Sequence, residues 1–157
     1  KQQIHFIKKK KPKIPDLDFL VECPSPDSFY IPNGWDMGMT RYGNPVLFNQ
    51  NARKEEKTIE LNYLSNFRSI VSRNLFPTIE NFLSGTPLTI QSIAYDLEKE
   101  KIVGDIGIKA IEGGVVEINN LEEARYVVNQ SNTTLEQYIK KKAKEIGFRY
   151  DLTINSD

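Results

Sequence analysis

The chain contains one histidine, His5, and one cysteine, Cys23. A Ser–His–Asp triad or a Cys–His pair therefore has only His5 to supply its base, and His5 lies in a segment that reads as an N-terminal arm. A zinc site built from cysteine and histidine fails for want of ligands. No GxGxxG or GxxxxGK[ST] run is present to cradle a phosphate. Carboxylates remain. Asp16, Asp18 and Glu22 are close in sequence, and Asp105 with Lys109 has the elements of a metal-dependent nuclease if further carboxylates converge on it. Two charges four apart on a helix more commonly form an exposed ion pair. The residue types thus predict no catalytic centre, no metal site and no cofactor.

Chemistry directed at a nucleic acid has more to draw on. Lys8, Lys9, Lys10, Lys11 and Lys13 form a basic run that suits phosphate binding by counterion release. The same run matches the composition of a nuclear localisation signal, or of a solvated tail. Phe29, Tyr30, Trp35, Tyr42 and Phe48, with Arg41 and Arg53 nearby, offer rings on which bases could stack, with Tyr30, Trp35 and Tyr42 the candidates. The alternative role for such rings is the core of a small sheet. Lysines and arginines equal aspartates and glutamates at 21 each, so attraction to a polyanion has to come from local patches.

These side chains need elements to hold them. Residues 1–28, with Pro12, Pro15, Pro24 and Pro26, read as a basic, proline-rich arm, since proline fixes φ and removes a donor. Residues 29–157 read as a single α+β module, sheet-rich over 29–64 and helix-rich over 65–157. Strands are expected at Phe29–Ile31 and Val46–Phe48, and at 58–64, where Ile59, Leu61 and Tyr63 alternate. Ile79–Leu83 reads as a short helix stopped at Ser84-Gly85. Ile90, Ile93, Ala94 and Leu97 follow Thr89 at helical spacing, and Val103, Ile106, Gly107, Ala110 and Ile111 repeat that period before Gly113-Gly114 and the strand Val115–Ile118. Asn120 is placed to cap a helix from Leu121 to about Val128. Thr133 with Glu136 has the spacing of a capping box for a second helix, which Gly147 ends. Alternation from Phe148 to Ile154 predicts a last strand.

The layout from Thr89 to Ile118 resembles the winged-helix family of helix-turn-helix domains. The resemblance implies a supporting helix over 89–97, a recognition helix over 102–112 entering the major groove, and a wing opening at Val115, with Lys101 and Lys109 contacting phosphate. Gly104 and Gly107 would then lie inside the recognition helix, each costing about 1 kcal/mol relative to alanine. A second resemblance, carried by Ile31-Pro32-Asn33-Gly34-Trp35, Pro45-Val46, Thr58–Leu61, Phe67–Arg73 and Leu83-Ser84-Gly85, is to the domain ahead of the motor in plasmid and phage helicases. It points to replication of a mobile element.

The expectation is a non-enzymatic, nucleic-acid-associated module, bound to DNA or RNA, of a viral, phage or mobile-element replication, transposition or transcription system. The alternative is a protein interaction or assembly module, such as a virion component or a homo-oligomer, which the balanced charge and Asp105 favour. No apolar run reaches the roughly 20 residues of a membrane span. A lone cysteine suits a reducing, intracellular compartment, cytoplasmic or nuclear. The start Lys1-Gln2-Gln3-Ile4 looks like neither a signal peptide nor an initiator, as expected of a piece of a longer chain.

Overall fold

The computed structural model describes residues 18–22, 30–49, 51 and 58–152. The lysines at 8–11 and 13, with His5, Cys23 and Phe29, lie outside them. The chain forms two compact units, one of Lys1–Val21 with Ser25–Asn62 and the other of Glu22–Pro24 with Tyr63–Asp157. Helices and small sheets make the class α+β.

In the first unit, β1 (Asp18–Val21), β2 (Asp36–Met39), β3 (Pro45–Phe48) and β4 (Thr58–Tyr63) lie in the order β1-β4-β3-β2. Antiparallel pairing sets Met37 opposite Leu47 and Leu47 opposite Ile59. The β2–β3 turn is built by Thr40. Its carbonyl accepts from Gly43 N–H at 3.0 Å and its hydroxyl from Asn44 N–H at 3.0 Å, with Gly43 supplying the left-handed φ of 78° that the bend requires. Tyr30 and Ile31, expected in a strand, lie in a loop instead. Pro32–Trp35 is a tight turn closed by Trp35 N–H to Pro32 O at 3.0 Å.

The second unit holds the main core. Leu88, Val116, Ile139 and Ala143 are buried together, with Ile90, Ile118, Tyr138, Phe148 and Leu152 packed around them. Each large aliphatic side chain removed from water in this way contributes roughly 1.5–3 kcal/mol. Short helices α1 (Arg68–Val71) and α2 (Ile79–Ser84) lead in, and the Thr78 hydroxyl caps α2 by accepting from Asn81 N–H. Strands β5 (Ala94–Asp96) and β6 (Lys101–Val103) form an antiparallel hairpin ahead of α3 (Asp105–Gly113). Next come β7 (Val115–Val116), α4 (Leu121–Gln130), α5 (Leu135–Ile146) and β8 (Arg149–Tyr150), with β7 and β8 paired in parallel.

Asn120 caps α4 as expected, accepting from Glu123 N–H at 3.1 Å. The capping box of α5 falls one residue later than expected, on Thr134 and Gln137, each side chain accepting from the other's backbone N–H at 3.1 Å. Gly147 closes α5 with φ 76°. The last strand is shorter than its alternation suggests, ending at Tyr150, and 153–157 lie outside the described residues.

The largest departure is at 89–97. The expected supporting helix is a single 3-10 turn, Thr89–Gln91, followed by β5. Tertiary bonding overrides the helical period here. The Ser92 carbonyl accepts from Gly107 N–H at 3.2 Å, and the buried Ser92 hydroxyl is held by Leu83 O, Thr86 and Asn119. Thr89, Ile90 and Ile93 are β-branched, so their helix preference is weak to begin with. The expected recognition helix also starts late: Lys101–Val103 is strand, Gly104 turns the chain at φ 104°, and α3 begins at Asp105. Val115-Val116 pairs with β8 rather than in a hairpin of its own, and Ile118 bridges to Leu88.

Candidate functional site

The β5–β6 hairpin is the most distinctive surface of the second unit. Its register sets Ala94 opposite Val103, Tyr95 opposite Ile102 and Asp96 opposite Lys101. Opposed residues share a face, so Tyr95 and Ile102 stand together on the side away from Ala94 and Val103. That side is open, with Tyr95 57% and Ile102 58% exposed, and Leu97, at the start of the turn, is 67% exposed. Three large apolar side chains within eight residues are thus left to water.

The turn that carries them is braced. One Asp96 carboxylate oxygen accepts from the backbone N–H groups of Glu98 and Lys99 at 3.0 and 2.9 Å, and the other meets Lys99 Nζ at 2.9 Å. These bonds hold the Asp96 carboxyl below its ordinary pKa, the Lys99 backbone bond acting most strongly, and the same carboxylate raises that of Lys99. Glu100 completes the bend with φ 49°. At the base, Gly104 and Gly107 press against Ser92. A Cβ on Gly104 would stand 2.1 Å from Ser92 O, and one on Gly107 2.6 Å from it. Only glycine permits this approach, so the two residues that count against a continuous helix are what let α3 pack on Ser92-Ile93, between the 3-10 turn and β5.

The sequence-derived candidates are scattered rather than joined. Lys101 is exposed on β6, on the face of the hairpin opposite Tyr95 and Ile102. Lys109 is exposed on α3 and lines an open cleft of about 440 Å3 that also contains Thr89, Glu117 and Asp151. The two carboxylates there oppose a phosphate approaching Lys109. Trp35, half-buried, and Tyr42, exposed, sit at opposite ends of β2, about 14 Å or more of extended chain apart. Arg41 lies over the Tyr42 ring at 4.6 Å and donates to its hydroxyl, while Tyr30 is exposed outside the sheet. Among the described residues, no three His, Cys, Asp or Glu side chains converge as they would around a metal ion.

A second cleft, of about 290 Å3, has an apolar lining of Phe67, Phe82, Pro87 and Val127 and a charged end at Arg68 and Glu123. Arg68 pairs with Glu123 and with Glu122 at 3.1 Å, and its guanidinium lies 4.2 Å from the Tyr126 ring centre. Glu123 is 6% exposed, and burial pushes its carboxyl above the ordinary range while Arg68 pulls it down. With acid and base committed to each other, the group ties α1 to α4.

Sequence reasoning missed Tyr95, Leu97 and Ile102, having placed Leu97 on a buried helical face. The signal was present. Two short stretches with β-forming residues, Ile93-Ala94-Tyr95 and Ile102-Val103, flank the polar stretch Glu98–Lys101, a spacing compatible with a hairpin. Among the described residues, no helix is long and apolar enough to cross a membrane. No protein-family model, curated protein or solved structure matches the chain.

Proposed function

We propose that this chain is a non-enzymatic module that binds a protein partner through the outer face of the β5–β6 hairpin, in a reducing, intracellular compartment. The observation that carries the reading is the exposed Tyr95–Ile102 pair with Leu97 beside it. Aromatic and aliphatic side chains at the centre of a patch are what protein interfaces bury, whereas phosphate binding calls for clustered cations. The test is a pair of measurements on the intact chain and on a Tyr95→Ser/Ile102→Ser variant: light scattering for self-association, and co-purification of a defined partner. The variant is expected to keep its circular dichroism spectrum and lose the complex. A complex unchanged by the double substitution overturns the reading.

The second reading is the nucleic-acid-associated module of a viral, phage or mobile-element system. Its support is that Lys101 and Lys109 are both exposed, on β6 and on the helix that follows it. Fluorescence anisotropy of labelled DNA and RNA at low and near-physiological salt tests it. Binding that falls steeply with salt, and further in Lys101→Ala/Lys109→Ala or in a chain lacking 1–13, favours this reading over the first.

A further inference from the structure

Resting on the protein-partner reading, we infer that the hairpin face takes a segment that is both apolar and basic. The inference comes from the charges around Tyr95, Leu97 and Ile102. Asp96 and Lys99 neutralise each other at 2.9 Å. Glu98 and Glu100, on either side of Lys99, are exposed and make no ion pair among the described residues, and Asp105, exposed at the start of α3, adds a third carboxylate close in sequence. Lys101, which makes no ion pair among the described residues, pairs across the strands with Asp96 and so lies on the other face of the ribbon. An apolar centre with an acidic tip is complementary to a segment whose leucine- or phenylalanine-type side chains are flanked by lysine or arginine. An acidic segment would meet repulsion at the same place.

The probes are short labelled peptides titrated into the full chain by fluorescence anisotropy: one of leucine and lysine, one with glutamate in place of lysine, and one with serine in place of leucine. The leucine–lysine peptide is expected to bind and the other two to bind at least tenfold more weakly. Exposed ion pairs are individually small, so Glu98→Gln/Glu100→Gln is expected to weaken binding by about threefold to tenfold and to flatten its salt dependence. Tyr95→Ser/Ile102→Ser is expected to abolish binding while circular dichroism stays unchanged. Equal binding of the lysine and glutamate peptides, or indifference to Glu98→Gln/Glu100→Gln, overturns the basic occupant while leaving the apolar face standing. Self-association that Tyr95→Ser/Ile102→Ser abolishes, without peptide binding, assigns the face to a second copy and also overturns it. Peptide binding unaffected by Tyr95→Ser/Ile102→Ser sinks both this inference and the reading beneath it.

Discussion

Gly104 and Gly107 hold their positions because of what a methyl group would strike. Each would bring a Cβ within 2.6 Å of the Ser92 carbonyl, and Gly104 also has a φ of 104° that other residues resist. Gly104→Ala and Gly107→Ala are each expected to destabilise the protein by about 2–3 kcal/mol, read as a fall in the urea midpoint with unchanged slope. Glu123 makes a different prediction. Burial raises its folded pKa above the ordinary value of 4.5, so the folded chain holds that proton more tightly than the unfolded chain does. Its contribution is therefore most favourable in acid and declines as pH rises from about 4.5 through the raised value. Glu123→Gln is expected to remove that decline, which urea midpoints measured between about pH 4 and pH 7 would reveal. Neither result was legible beforehand. Gly104 and Gly107 are evident as helix-disfavouring residues, but the carbonyl that requires them is contributed from a dozen residues away.

Elements fixed by local chemistry were the readable ones. The cap of α4, a capping box at the start of α5, the stop at Gly147 and the strands β3 and β4 all follow from side chains close in sequence or from simple alternation. Thr134 displaced Thr133 as the cap because two adjacent threonines offer the same hydroxyl, with Glu136 and Gln137 both able to complete the box. Thr134→Ala is expected to cost about 1 kcal/mol, whereas Thr133→Ala should cost less, a comparison made by thermal or urea unfolding. The hairpin was misread because Ile90, Ile93, Ala94 and Leu97 fit a helical period while 94–103 is too short and irregular to show a period of its own. The Ser92 bonds, which tie that residue to Leu83, Thr86, Gly107 and Asn119, decide against the helix. Asn119 is the hub, donating to Leu83 O, Thr86 O and Thr86 Oγ1 as well as to Ser92 Oγ. Asn119→Ala, which takes the donor from Thr86 O and one of several from Leu83 O and Ser92 Oγ, is expected to cost about 1–3 kcal/mol and to loosen the start of β5 in hydrogen exchange.

At the scale of the molecule, the two units differ in how much they bury. The buried aliphatic core, from Leu64 to Ala143, belongs to the second unit, whereas the first unit's buried residues are Asn44 and Pro45 among those described. A fragment from Tyr63 to Asp157 is therefore expected to retain cooperative unfolding and the helical signal of α4 and α5, which circular dichroism of the fragment checks. The α+β class was visible in composition and periodicity. The candidate site was not, because exposure is a property of the assembled chain. The pattern that makes Tyr95 and Ile102 strand residues leaves open which side of the strand is covered.

The bracing of the hairpin at both ends has a thermodynamic corollary. Asp96 locks the tip and the Gly104–Ser92 contact locks the base, so a partner of the proposed kind would meet a surface already formed. The cost of ordering falls on the partner alone, and affinity then tracks contact quality. Calorimetry of such an association should show a negative heat-capacity change scaled to the apolar area covered on Tyr95, Leu97 and Ile102, without the much larger change that accompanies folding on binding.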